Sequence, residues 1–249
     1  MLKISIITVC YNSSKTILDT IASVNNQSYK NIEHVFIDGL SSDNTLELIK
    51  LNSKKKKVII SEQDNGLYDA INKGVSIASG DVIGLLHSDD LLSSPDIISD
   101  LIEKIQSENL DAVYGDLQYV DKENINKIIR YWKSTEFNPK LLLKGWMAPH
   151  PTLYLKKAVY QQVGGFNISY KISADYDFML RMFKSNNFKF GYLPKVLTKM
   201  RVGGASNRSF KNIIKKTKED YLILRSNNIG GIYSLILKNT SKIKQFIIK

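Results

Sequence analysis

The chain has 249 residues, of which 43% are hydrophobic and 24% charged, and it carries a net charge of +11. That length buries a full core and fits one domain with appendages, in a composition ordinary for a globular protein. A single cysteine, Cys10, leaves no material for a disulfide framework or a zinc cluster, and no apolar run approaches the ~18 residues of a membrane span.

The sequence opens on an apolar stretch without a charged leader or a small-residue cleavage site, so a reducing cytoplasm is the expected compartment. Charge is unevenly placed. Residues 1–198 hold 23 Lys and Arg against 22 Asp and Glu, whereas residues 199–249 hold 12 against 2. The excess therefore belongs to the tail.

Residues 4–10 form a continuous apolar run of the kind buried in a parallel sheet. Tyr11 to Ser14 follow as a turn, with Ser13 or Ser14 able to cap a helix reaching Gln27, in which Ile17, Ile21 and Val24 recur at helical spacing. A second strand at 33–38 ends in Asp38, and a helix begins at Thr45. Lysines 54–57 precede a third strand at 58–61, and residues 68–79 form the next helix. Strand alternating with helix implies parallel strands and right-handed crossovers. An aromatic at the mouth of strand one and an acid at the end of strand two suit a nucleotide base and ribose. The G-x-G-x-x-G fingerprint of dinucleotide folds is absent after Val9, which argues against a dehydrogenase.

Val82 to Leu86 reads as a short buried strand that stops abruptly at His87, Ser88, Asp89 and Asp90. Adjacent carboxylates at a buried strand end need a positive partner, and a divalent cation carrying a diphosphate satisfies that need. The alternative is a polar turn, with Asp90 capping the helix that starts near Pro95.

Beyond it, residues 111–119 and 124–132 read as two strands of a hairpin, with Asp116 structural or on the acceptor side. Residues 134–150 read as irregular, and 188–193 as an edge strand ending at Pro194. Asp175 and Asp177 open a helix whose apolar residues are Phe178, Met179, Met182 and Phe183. Either acid suits a helix N-terminus, and either could take a proton from a hydroxyl. From Phe210 the chain turns helical and basic, with Phe210, Ile213, Ile214, Thr217, Tyr221 and Leu224 on one stripe. That stripe packs on the domain or, with Ile232 to Leu237 and Ile243 to Ile248, rests on an anionic membrane. No nucleic-acid reading motif occurs in the tail, so nucleic acid is not an expected partner.

Five motifs occur in order: Ile6-Ile-Thr-Val-Cys-Tyr-Asn12, Phe36-Ile-Asp-Gly-Leu-Ser-Ser-Asp-Asn-Thr45, Glu62-Gln-Asp-Asn-Gly-Leu-Tyr-Asp-Ala-Ile-Asn-Lys-Gly74, Ala78-Ser-Gly-Asp81 and His87-Ser-Asp-Asp90. Over residues 3–205 the chain resembles inverting glycosyltransferase family 2, and within it the small bacterial members that build exopolysaccharide and lipopolysaccharide, the colanic-acid type. The resemblance implies an α/β, GT-A (Rossmann-like) fold with a mostly parallel central sheet flanked by helices. It places the catalytic domain at 1–206, with a nucleotide-binding half at 1–90 and an acceptor half at 91–206, followed by a basic amphipathic helical tail at 207–249. It implies transfer from a nucleotide-sugar donor, UDP first with GDP or dTDP as alternatives, to a glycan or lipid-linked acceptor. The enzyme would work in the cytoplasm or on the inner face of the membrane.

By the same resemblance Tyr11 stacks on the base, while Asp38 and Asp64 accept hydrogen bonds from base or ribose. Asp89 holds ribose or donor sugar and, with Asp90, a divalent metal (Mn²⁺ or Mg²⁺). Asp175 is the base, with Asp177 as fallback. His150 and Arg201, the latter opening the loop Arg201-Val-Gly-Gly-Ala-Ser206, approach acceptor or diphosphate. Asn72 lies in a segment that contacts base or phosphate in relatives. Lys73 reads as a surface lysine, and His87 as a hydrogen-bonded strand-end histidine or a third ligand. The competing readings are a nucleotide-binding pseudoenzyme and a nucleotidyltransferase. The latter would need a glycine-rich basic loop after strand one, which Val9 to Ser14 does not supply.

Overall fold

The computed structural model describes residues 1–203 and 210–241. Strand and helix alternate first: β1 (Ile4–Cys10), α1 (Ile17–Asn25), β2 (Ile32–Asp38), α2 (Thr45–Asn52), β3 (Lys56–Ser61), α3 (Leu67–Ile77) and β4 (Val82–Leu85). Every residue of β2 and β4 is buried; β4 accordingly reads as an unbroken apolar run, whereas β2 also buries Glu33, His34 and Asp38. The four strands are parallel, in the order β3-β2-β1-β4. Neighbouring residues face opposite layers. Ile7, Val35, Ile37 and Ile83 join the core under α3, while Ile4, Ile6 and Val82 join the opposite one.

The second half comprises β5 (Leu91–Leu92), α4 (Ile97–Ser107), β6 (Ala112–Val120), β7 (Ile128–Trp132), α5 (Lys140–Leu143), a 3-10 turn (His150–Thr152), β8 (Tyr154–Lys156), α6 (Lys157–Val163), α7 (Ala174–Lys184) and β9 (Phe190–Arg201). It extends the same sheet as β4-β8-β6-β9-β5, with β7 on β6. Here pairing is mixed. β8 is antiparallel to β4 and β6, β6 runs parallel to β9, and β9 is antiparallel to β5. The result is one mixed sheet flanked by helices.

Several expectations are corrected. The first helix starts at Ile17, because the Ser13 carbonyl takes the Thr16 and Ile17 N–H groups while the Ser13 hydroxyl turns to Ser88. The span 134–150 contains α5. The strand expected to end at Pro194 runs through it to Arg201 and lies between β6 and β5, not at an edge. A bulge in β9, whose residues 194, 195 and 197 have no partner opposite Gly115 to Leu117 of β6, accommodates the proline, which has no N–H for the ladder.

The C-terminal helices α8 (Phe210–Ser226) and α9 (Ile232–Ser241) pack on the domain through α7. The expected stripe is met in part: Leu224 is buried and Thr217 and Tyr221 half-buried, but Ile213 and Ile214 are exposed, and Glu219, Asp220 and Ile223, outside the stripe, face inward. Acids that find partners inside shift the face that hydropathy alone selects. Residues 243–248 lie outside the described residues. Among the described residues, no helix is long and apolar enough to cross a membrane.

His34 sits in β2 without solvent exposure, its Nε2 2.9 Å from Thr8 Oγ1, and burial pushes it down to about 3. The unfolded chain therefore binds protons below about pH 6.5 that the folded chain refuses. Stability is full above that pH and falls as pH drops toward 3, at up to about 1.4 kcal/mol per pH unit for each such histidine. Urea titrations between pH 5 and 6.5 should show a shallower slope for His34→Gln than for the parent; an unchanged slope contradicts this origin.

Candidate active site

The parallel register brings Cys10, Asp38 and Ser61 side by side. The residues just beyond them, with the turn after β4, line a cavity of about 1080 Å³ at the carboxyl edge of the sheet. This is where open α/β sheets bind ligands. The tight turn after β2 depends on Gly39: a Cβ there would stand 2.7 Å from Asp64 Oδ2 and 3.5 Å from Tyr11 Cδ2. Tyr11 is 64% exposed over the cavity, a flat aromatic with a free face. Asp64 lines it too, its Oδ1 accepting the Gly66 N–H at 2.8 Å.

Asp38 corrects the expectation. Fully buried, it does not line the cavity; its carboxylate accepts the Ser41 N–H at 3.0 Å, the Ser41 hydroxyl, and the Ser61 hydroxyl at 2.7 Å. It fixes the Gly39–Ser41 turn, in which Leu40 holds a strained left-handed φ of 61°.

Asp89 lines the cavity beside His87 and Ser88, whereas Asp90 lies beneath. The Asp90 residue is 0% exposed, and among the described residues no hydrogen bond of ordinary length reaches either carboxylate oxygen. Burial and the neighbouring Asp89 push this carboxyl well above its usual range, against the pull of Arg201. Arg201 is itself buried and lines the cavity. Its guanidinium donates to Asp19 Oδ2 at 2.5 Å, the Asp89 carbonyl at 2.7 Å and the Lys122 carbonyl at 3.1 Å. Three of its five N–H donors are thus given to the protein, so Arg201 holds the Asp89 turn while still lining the cavity. Of the loop it opens, residues 204–206 lie outside the described residues. No group of three or more His, Cys, Asp or Glu side chains is poised to hold a metal among the described residues.

Asp175, in the first turn of α7, lines the cavity, and Tyr68 donates to its Oδ1 at 3.2 Å and to the Ile172 carbonyl at 2.7 Å. Asp177 turns away into an ion pair with Arg181 at 2.9 Å and a bond from Asn227. His150 is buried at the cavity wall, its ring 6.4 Å from that of His87 and edge-on to Phe166. Burial pushes it down to about 4, against Asp175 and helped by His87. Asn72 is corrected to a structural role, clamping Phe166 by two 2.8 Å bonds, and Lys73 is a surface lysine paired with Glu62. Asp116 is consumed by Tyr131, Ser134 and Tyr192.

Sequence reasoning missed part of the wall. Tyr119, Arg130 and Trp132 come from the β6–β7 hairpin, with Arg130 4.5 Å above the Tyr119 ring. Lys216, Asp220 and Lys238 come from the tail. Tyr68 lies inside a quoted motif, and the hairpin and tail residues carry no local signal.

The glycosyl transferase family 2 model matches residues 5–165. The chain is 29% identical over 180 residues to an uncharacterized glycosyltransferase of Mycobacterium tuberculosis, covering 72% of this chain and 68% of that one. It is 28% identical over 208 residues to a PGL/p-HBAD biosynthesis glycosyltransferase of Mycobacterium bovis, covering 82% and 78%. Among solved structures, S. aureus TarS 1–349 in complex with UDP-GlcNAc superposes with a TM-score of 0.71 at 17% identity, covering 100% and 74%. The mannosyltransferase PcManGT of Pyrobaculum calidifontis, in complex with GDP-Man and Mn²⁺, gives 0.69 at 15%, covering 99% and 73%. These likenesses establish the GT-A fold, and with the family match over most of the domain the chain belongs to glycosyl transferase family 2.

Proposed function

We propose that this enzyme is an inverting glycosyltransferase that moves a sugar from a nucleoside-diphosphate donor, UDP first, to a hydroxyl of a glycan or lipid-linked sugar in bacterial surface-polysaccharide assembly. The observation that carries this reading is a convergence on one cavity. Tyr11, Gly39 and Asp64 line it together with Asp175, the carboxylate to which Tyr68 donates. Neighbours crystallised with UDP-GlcNAc and GDP-Man support a nucleotide-sugar donor.

In this reading Tyr11 stacks on the base, Asp64 accepts from base or ribose, and Asp89 holds the ribose or donor sugar. The residues present fit a divalent cation, Mn²⁺ or Mg²⁺, because among the described residues the buried Asp90 carboxylate lacks any compensating hydrogen bond. Asp90 with Asp89 would hold the ion, and diphosphate oxygens and water suit the rest of its shell. When bound, the ion supplies positive charge to the leaving diphosphate. Asp175 takes the acceptor hydroxyl's proton as its oxygen attacks the anomeric carbon opposite the departing diphosphate, which inverts the configuration. His150, neutral at pH 7, orients acceptor or diphosphate.

The outer face of the tail supports peripheral attachment to an anionic membrane. Ile213, Ile214 and Leu222 of α8 and Ile232, Tyr233 and Ile236 of α9 are exposed, alongside exposed Lys215, Lys218 and Arg225. Apolar side chains amid cations suit the headgroup layer.

Two measurements test the proposal. Asp175→Asn should lower transfer by about 10²–10⁴-fold while UDP affinity stays within about two-fold; undiminished transfer removes Asp175 from the mechanism. Co-sedimentation with phosphatidylglycerol vesicles should exceed that with phosphatidylcholine and drop several-fold in an Ile232→Ser, Ile236→Ser variant. Equal sedimentation with both lipids contradicts the membrane surface.

A further inference from the structure

The tail does more than cover the domain. Glu219 of α8 is buried, and its carboxylate accepts the backbone N–H groups of Lys171, Ile172 and Ser173 at 3.1, 2.9 and 2.9 Å. These are the residues that lead directly into Asp175. The next residue of α8, Asp220, lines the cavity, and its Oδ2 lies 2.7 Å from Lys216 Nζ and 2.8 Å from Lys238 Nζ. Lys238 is buried with its ammonium 3.1 Å from the centre of the Tyr176 ring, one residue beyond Asp175. Two cations thus share one carboxylate oxygen at the cavity wall.

The hydroxyls of this wall are unfinished. Ser173 and Tyr176 are buried and line the cavity, and among the described residues neither hydroxyl has a hydrogen-bond partner, nor does Asp220 Oδ1. Buried polar atoms are nearly always paired, so a cluster left open at a cavity wall points to a ligand. Its chemistry follows from the set: two ammonium groups against one carboxylate, and two hydroxyl donors, suit an anion. Its place follows from Glu219 and Tyr176, which tie the wall to both sides of Asp175.

We infer that Ser173, Tyr176, Lys216 and Lys238 form an acceptor subsite for an anionic group, phosphate or carboxylate, next to the accepting sugar hydroxyl. This rests on the reading of Asp175 as the acceptor-side residue. Asp220 fixes both lysines and offers its second oxygen to a hydroxyl of the same sugar. Lys216 is the accessible member, with 24% of its side chain exposed against 2% for Lys238.

The test is equilibrium binding to the full chain, with and without saturating UDP and Mn²⁺, of glucose 1-phosphate, methyl glucuronide and the neutral methyl glucoside. In the UDP-loaded protein at least one anionic sugar should bind ten-fold or more tightly than methyl glucoside, and Lys216→Gln should abolish the preference. Ser173→Ala, which removes one buried hydroxyl and no charge, should weaken the anion several-fold in a folded protein. Preference for glucose 1-phosphate identifies a phosphorylated acceptor, and preference for the glucuronide an acidic sugar. Equal binding of charged and neutral sugars, or a preference that survives Lys216→Gln, overturns the inference. Failure of UDP itself to bind overturns the donor reading instead, and the Lys216 dependence measured without UDP still decides the subsite.

Discussion

Burying a carboxylate requires a compensating partner, and the carboxyl edge of this sheet meets that requirement unevenly. Asp38 is satisfied by the turn it organises, and Asp116 by two tyrosines and a backbone amide. Asp90 is as deeply buried as either and among the described residues has no such partner. The difference separates acids that build the scaffold from the acid to which the proposed function gives a metal. The turn that carries it is held from several sides. Arg201 draws Asp19 and the Asp89 carbonyl together, Thr20 donates to the Asp90 carbonyl at 2.8 Å, and Ser13 meets Ser88 at 2.8 Å. The turn after β4 is thereby tied to α1, β9 and the end of β1.

The part of the wall around Asp175 is built from sequence far away. Asp175 enters from α7, Tyr68 from α3, and the backbone just before Asp175 hangs on Glu219 from α8. Removing α8 would leave three N–H groups without an acceptor and take Ile223 and Leu224 out of the core, so α8 is packed as part of the domain. The two C-terminal helices direct lysines inward to the cavity and isoleucines outward to solvent. In the proposed function these two faces address the two ends of one acceptor.

The legible and illegible parts of the sequence divide on physical lines. β1 and β4 are buried on both faces, so they read as continuous runs with ends visible at Tyr11 and Asp89; β2 is equally buried, and its shorter run Val35 to Ile37 ends visibly at Asp38. Position at a strand end does not tell which way a side chain turns. Asp38 lay at the right edge, yet Ser41 and Ser61 turn it inward; Arg201 lay in the right loop and lines the cavity, yet gives a donor to Asp19. Asp175 and Asp177 are indistinguishable as helix-opening acids until Arg181, one turn on, takes Asp177. Pro194 read as a strand end because a proline cannot donate to the ladder, yet β9 bulges at 194–195 and 197 and resumes its pairing with β6 beyond them. The phase of α8 was partly misread because hydropathy assigns Glu219 and Asp220 to water, and only tertiary structure supplies the amides and lysines that bury them.

The central claim is that this edge binds a nucleoside diphosphate through a metal held at Asp90. A thermal-shift panel of UDP, GDP, dTDP and CMP, each with Mn²⁺, Mg²⁺ or EDTA, tests it on the parent and on Asp90→Asn. A ligand at 100 times its Kd stabilises by about 2.7 kcal/mol, a readable change in Tm. The account predicts that one diphosphate raises Tm only with metal, and that Asp90→Asn loses the metal dependence. A shift that persists in EDTA, or none with any nucleotide, would contradict it.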